Sequence, residues 1–262
     1  MPVFLVTLCR KNTMSETAEN YDASKYDRPS VTVDIVILTL REKHLHVLLI
    51  ERKAWPFEGA WAIPGGFVRM DESLEDAARR ELCEETGVVD VPLEQLHTFG
   101  SVGRDPRTRV ITVAYTALIP SEKIVLEAST DAVDARWYPV AKLPHHLAFD
   151  HGDILAHALR SLRRRLENSN VARYLLPDRF TLSQLQEVYE ALLGKPVDKR
   201  NFRKWILSLG IVRPTDQIVR GHHRPALLYE FLPDDEVVCT DDSKFLWSSR
   251  SRRKDGGEGD GE

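Results

Sequence analysis

Residues 65–89 read GGFVRMDESLEDAARRELCEETGVV. Ser73 is placed to cap a helix, Gly87 to end one in a left-handed conformation, and the residues between are mostly good helix formers, so the spacing predicts a helix over 74–86. At 100° per residue, Leu74, Ala77 and Ala78 fall on one stripe, and Glu81, Glu84 and Glu85 continue it. Glu75, Asp76, Arg79 and Cys83 fall elsewhere. A solvated run of like charges costs only a few tenths of a kcal/mol per pair. Half-buried carboxylates about 5 Å apart repel by roughly 3 kcal/mol per pair at an effective dielectric near 20, and a divalent cation turns that repulsion into attraction. Hard oxygen ligands that leave coordination positions open favour Mg²⁺ or Mn²⁺, with a phosphate substrate completing the shell. The helix therefore reads as a metal site for phosphate chemistry.

The rest of the chain gives this helix a sheet to lie on. Residues 31–38 (VTVDIVIL) and 45–50 (LHVLLI) are apolar or β-branched runs joined by REKH, the pattern of an antiparallel hairpin. Further strands are expected at 96–102, 110–119 and 135–138, separated by turn-rich pieces such as GRDPRTR at 103–109. Asp150 can cap a helix over about 154–166, whose basic end suits a helix C-terminus. Residues 28–166 thus make one α/β domain.

Composition bounds the remainder. The chain has 262 residues, 42% of them hydrophobic, enough for a substantial core and two domains. A net charge of −4 argues neither for nor against a nucleic-acid partner, which must be read from local patches. Cys9, Cys83 and Cys239 are odd in number and lack metal-ligand spacing, as expected of free thiols in a reducing cytoplasm. No run is long enough to span a membrane, and residues 2–9 lack the flanks of a signal peptide. Residues 1–27 are expected to be a flexible N-terminal segment, with 1–13 a start-site artefact, and 234–262 a disordered tail.

With those elements placed, the spacing can be compared with known patterns. Gly66, Glu72, Arg80-Glu81-Leu82, Glu84-Glu85 and Gly87-Val88 fill every fixed position of the Nudix box, and the chain resembles the Nudix hydrolase superfamily. The resemblance implies an α/β/α sandwich with a mixed sheet that hydrolyses a nucleoside diphosphate linked to another moiety. It implies metal ligation by Glu81, Glu84 and Glu85, helped by Gly66. Arg80 would pair with a box glutamate to orient it, and Glu72 would support the site from behind. For the general base Glu85 ranks first, with Glu122, Glu127, Asp131 and Asp134 on later segments as alternatives.

Outside the box, WPFEGAWAIPGGF, GRDPRTR and LAFDH (147–151) resemble the ADP-ribose pyrophosphatases and the Nudix-related transcriptional regulators of NAD metabolism. Arg104, Arg107 and Arg109 have the chemistry of a phosphate or carboxylate clamp, and equally that of a solvated hairpin turn. Asp150 and His151 can belong to the site or to a helix cap.

Residues 172–233 follow with a helix over 181–193, a second over 198–209, and strands at 212–219 and 226–231, and they resemble the regulators' winged-helix domain. On the second helix Phe202, Trp205, Ile206 and Leu209 can pack inward, leaving Lys199, Arg200, Arg203 and Lys204 on other faces to meet DNA phosphates. Arg213, Arg220, His222, His223 and Arg224 would add a basic wing. Between Lys195 and Arg224 eight Lys and Arg residues face only Asp198 and Asp216, a local excess the whole-chain charge hides.

The sequence thus predicts a Mg²⁺- or Mn²⁺-dependent hydrolase of ADP-ribose or a relative, fused to a module for double-stranded DNA, homodimeric and cytoplasmic. Two other readings are a sensor that binds ADP-ribose without cleaving it, and a housekeeping pyrophosphatase whose C-terminal module only dimerises. Regulators of this kind often have eroded boxes, whereas no box position is lost here, which favours catalysis.

Overall fold

The computed structural model describes residues 22–120, 134–166, 170–219 and 225–233. The N-terminal segment to residue 21, the candidate bases Glu122, Glu127 and Asp131, the wing residues Arg220, His222, His223 and Arg224, and the tail from 234 lie outside them.

The chain opens with the expected hairpin, Ser30–Arg41 (β1) and His44–Glu51 (β2). Its turn residues Glu42 and Lys43 both have positive φ, 49° and 64°, the twist that lets a tight hairpin follow the right-handed twist of its strands. Trp61–Ala62 (β3) and Gly65–Phe67 (β4) lead into Leu74–Thr86 (α1), followed by Glu94–Phe99 (β5), Val110–Ile119 (β6), Ala135–Pro139 (β7) and His151–Leu166 (α2). The seven strands form one mixed sheet, ordered β3-β2-β1-β6-β5, with β4 paired to β1 and β7 to β2. β1 and β6 run parallel and the other pairings are antiparallel.

Alternation along β1 explains the layers. Val33, Ile35 and Ile37 point to one face, where Ala77, Ala78 and Leu82 of α1 cover them. Val36 and Leu38 point to the other, under Ile154, Leu155, Ala158 and Leu162 of α2. Buried on both faces, this strand reads as a continuous apolar run. The sandwich is α/β/α, as expected.

After residue 170, Phe180–Thr181 (β8), Leu182–Leu193 (α3), Lys199–Ser208 (α4), Val212–Val219 (β9) and Ala226–Phe231 (β10) build a winged helix around a three-stranded sheet ordered β8-β10-β9. Thr181 and Gln184 form a capping box at the start of α3, Gly194 ends it at φ 69°, and the Asp198 carboxylate caps α4 by accepting from the Asn201 N–H. Phe202, Trp205 and Ile206 are buried against Tyr189 and its neighbours. The hydrophobic core runs on from the α2 side of the large sheet into this module. Arg163 Nε donates to the Leu192 carbonyl (3.0 Å) and Lys43 Nζ to Glu187 Oε1 (2.8 Å) across the junction. Among the described residues no helix is long and apolar enough to cross a membrane.

Two local expectations are corrected. α2 begins at His151 rather than 154, and Asp150 contributes its backbone carbonyl to the Ile154 N–H while its carboxylate turns to Arg104. On α1 the inward face continues through Glu81, Leu82 and Thr86, with Glu85 partly buried beside them, whereas Glu84 is exposed.

Candidate functional site

The box residues meet where β4 passes the C-terminal half of α1. Gly66 lies so close to Glu81 that a Cβ there would come within 2.2 Å of Oε1, and one on Gly65 would come within 2.2 Å of the Val33 carbonyl. Both positions need the smallest residue. The Gly65 N–H donates to Glu85 Oε2 (2.7 Å) and fixes that carboxylate against the strand.

Arg80 ties the other carboxylates together. Its Nε and Nη2 grip both oxygens of Glu72 at 2.9 and 2.6 Å, and its Nη1 donates to Glu81 Oε1 (2.6 Å) and Glu84 Oε2 (3.1 Å). Nη2 also reaches the Phe67 carbonyl at 3.2 Å. The Arg80 hydrogen bonds hold the Glu72 carboxyl down at about 2. Glu84 is about half exposed, with a second ion pair to Arg69 at 3.5 Å.

Glu85 is the outlier. Burial, and then the charges of Glu81 and Asp34, push its carboxyl up to about 8, against the pull of the Gly65 N–H and of Arg52. Negative charge here is in excess of what the protein neutralises. Among the described residues no three acidic, histidine or cysteine side chains are gathered tightly enough to hold an ion as they stand. The donor set nonetheless fits a hard divalent cation: carboxylate oxygens of Glu81, Glu84 and Glu85, two of them buried or half-buried, with unbalanced charge between them.

A second cluster lies behind the box. Asp34 interrupts the apolar run of β1 on the α2 face, and the first residue of α2 meets it there. The Ile63 N–H donates to His151 Nδ1 (2.9 Å), which leaves Nε2 to carry the proton of the neutral ring and face Asp34 Oδ1 at 3.5 Å. Burial lowers the His151 pKa, so the ring is held neutral. Arg104 donates to both oxygens of Asp150 (2.9 and 2.6 Å) and to Asp34 (3.4 Å), and its side chain is only 4% exposed.

Asp34, Ile63, Arg104 and His151 line an open cleft of about 210 Å³. Thr32, Arg52, Gly65, Gly66, Phe67, Arg107 and Phe149 complete its lining. Arg107 lies over the rings of Phe67 and Phe149 at 5.2 and 5.7 Å and pairs with Asp105 at 2.7 Å. Arg109 instead donates to the carbonyls of Ser101 and Val110.

Comparison with known proteins agrees with this arrangement. Residues 28–158 match the NUDIX domain, and residues 172–231 match the NrtR DNA-binding winged helix domain. The ADPR responsive transcriptional repressor NtrR of Acinetobacter baylyi is 37% identical over 231 residues, spanning 86% of this chain and 92% of that protein. The chain belongs to the NrtR family of Nudix proteins. A crystal structure of Shewanella oneidensis NrtR complexed with a 27mer DNA is similar to this NrtR-family fold, with 39% identity, TM-score 0.68, and coverage of 78% of this chain and 94% of that one. An ADP-ribose pyrophosphatase of Methanocaldococcus jannaschii is 36% identical over 161 residues, spanning 60% of this chain and 91% of its own.

On the winged helix, Lys199, Arg200, Arg203 and Lys204 of α4 are all exposed, as the helix periodicity predicts, and Arg203 Nη2 reaches Ser183 Oγ at 3.4 Å. Arg213 pairs with Glu230 (2.7 Å), which neutralises part of the wing's expected charge. Of the arginines expected to clamp a ligand in this NrtR-family chain, Arg104 and Arg107 line the cleft with carboxylate partners of their own, and Arg109 is spent on backbone. Sequence reasoning missed Asp34, Arg52 and Phe149. A lone carboxylate in VTVDIVIL was the available signal for Asp34, and the LAFDH stretch that for Phe149; nothing local marked Arg52.

Proposed function

We propose that this protein is a divalent-metal-dependent hydrolase of ADP-ribose, or of a close nucleoside diphosphate relative, whose winged helix binds double-stranded DNA and regulates NAD-related genes from the cytoplasm as a homodimer. The observation that carries the catalytic half is a box with every position filled, in which Arg80 organises Glu72, Glu81 and Glu84 while Glu85 stays apart. The relatives named for ADP-ribose, and the DNA complex of Shewanella oneidensis NrtR, support the choice of ligand and of DNA.

Glu81, Glu84, Glu85 and the Gly66 backbone would hold Mg²⁺ or Mn²⁺, which neutralises the diphosphate and lowers the pKa of water. Arg80 keeps Glu81 and Glu84 oriented, and Glu72 keeps Arg80 in place. Glu85 offers Oε1, the oxygen not bonded to the Gly65 N–H, to take a proton from the attacking water. The products are AMP and ribose 5-phosphate. Arg104 and Arg107 shape the ligand cleft, with Arg109 supporting its loop. Lys199, Arg200, Arg203 and Lys204, joined by Arg220 and Arg224 of the wing, contact phosphates.

A second reading, a sensor that binds ADP-ribose without cleaving it, draws on the repressor relative. One assay separates them: purified protein with Mg²⁺, ADP-ribose and operator-like DNA, followed for both AMP release and DNA affinity. Turnover with a ligand-dependent change in DNA affinity supports the proposal. The affinity change without turnover supports the sensor, and neither effect sinks both.

A further inference from the structure

We propose that Arg52, just beyond β2, is the guanidinium that binds the ligand's diphosphate in this cleft, with Phe149 as the platform that holds it flat. This rests on the nucleoside diphosphate reading of the site. Three observations lead to it.

The first is position. Arg52 lines the same cleft as Gly65 and Gly66 of the box, so an anion that reaches Arg52 lies beside the carboxylate cluster. Its backbone closes the following loop, the Arg52 N–H donating to the Ala60 carbonyl (3.0 Å) and its own carbonyl accepting from Gly59 (2.8 Å).

The second is what its side chain already does. The guanidinium carbon sits 4.7 Å from the centre of the Phe149 ring, and Nε donates to the Pro56 carbonyl at 2.8 Å. One face and one N–H are thereby used, and rotation is restricted. Nη1 and Nη2 are left, and among the described residues neither has a hydrogen-bond or ion-pair partner. A pair of terminal nitrogens in one plane is the group that meets two phosphate oxygens side by side.

The third is contrast with its neighbours. Arg104 is matched by Asp150 and Asp34, and Arg107 by Asp105. Among the described residues Arg52 is the arginine of this cleft without a carboxylate partner. Its pKa is lowered, first by burial and then by the charge of Arg107, while Asp105, Glu85 and Asp34 act against this. A partly buried cation repelled by another cation gains when an anion binds between them.

Titration calorimetry on the full chain in EDTA, where the metal-dependent cleavage of ADP-ribose does not run, tests this, using ADP-ribose, inorganic pyrophosphate and adenosine as probes. Arg52→Lys keeps the charge and removes the planar fork, and is expected to weaken ADP-ribose and pyrophosphate about 10- to 100-fold, with adenosine binding and the thermal midpoint unchanged. Arg52→Gln keeps a donor for Pro56 and serves if the lysine variant does not fold. Wild-type affinity for both diphosphates in either folded variant would overturn the inference. So would an equal loss for adenosine together with a lowered midpoint, because Arg52 would then be only a loop brace. If the wild type ignores ADP-ribose, the proposed function falls, and pyrophosphate still decides this point: binding lost in Arg52→Lys upholds the anion site, and no binding by the wild type overturns it.

Discussion

Arg80 grips Glu72 through two hydrogen bonds, Nε to Oε2 and Nη2 to Oε1, while the same guanidinium reaches Glu81 and Glu84 with Nη1. Glu72 also accepts from the Arg69 N–H at 2.9 Å, and its role in the proposed reaction is to hold Arg80. Glu72→Gln keeps the shape and loses the charge. The expected outcome is a fall in kcat of about 10- to 100-fold, the usual cost of losing a group that orients metal ligands, with little change in the thermal midpoint. Steady-state kinetics at saturating Mg²⁺ checks it.

Behind the box, Asp150 neutralises a side chain that is almost wholly enclosed. Asp150→Ala would leave Arg104 with only the longer contact to Asp34. Removing one partner of a buried ion pair costs about 3 kcal/mol or more. Urea denaturation should show that loss, whereas Asp153→Ala, an exposed residue in the first turn of the same helix, should lower stability by well under about 1 kcal/mol.

His151 gives a pH signature. Its folded-state pKa is lowered by burial, so the unfolded chain takes up the proton first. The stability it contributes is present above the unfolded pKa of about 6.5 and is lost as pH falls below it, by at most about 1.4 kcal/mol for each pH unit. Glu85 titrates in the opposite sense, its carboxyl raised to about 8, so stability on its account falls as pH rises from the ordinary glutamate range to about 8. The His151 effect is therefore read as a difference: between pH 7 and pH 5.5, His151→Gln should lose less stability than the wild type in parallel denaturation curves.

The exposed row on α4 predicts the behaviour of DNA binding. Replacing Arg200, Arg203 and Lys204 by alanine should weaken binding to every sequence and reduce the slope of log K against log salt by about 0.9 for each phosphate contact removed. Fluorescence anisotropy at several salt concentrations measures both. An unchanged slope would mean that this face does not meet phosphates and that the module serves another contact.

The fold was legible because local rules and tertiary packing agree in this chain. Ser73 and Gly87 bound α1, Thr181 and Gly194 bound α3, and the strands at 110–119, 212–219 and 226–231 appear where β-branched residues and turns put them. Three things were not legible. The exposure of Glu84 is one, because helix periodicity at 100° per residue does not separate the buried line from its flank. Asp150 stands open between site and helix cap in the sequence, because the partner of its carboxylate, Arg104, is distant along the chain. Arg52 and Phe149 meet only because the loop after β2 folds onto the start of α2, a contact with no periodic signal.

The proposed hydrolysis by the box of this NrtR-family protein is checked by incubating ADP-ribose with purified protein and Mg²⁺ and separating the products. AMP and ribose 5-phosphate are expected in equal amounts from the wild type, with a loss of at least about 100-fold in Glu85→Gln, as follows when a proton acceptor is removed. Undetectable AMP from folded wild-type protein, or a Glu85→Gln variant as fast as the wild type, would contradict it.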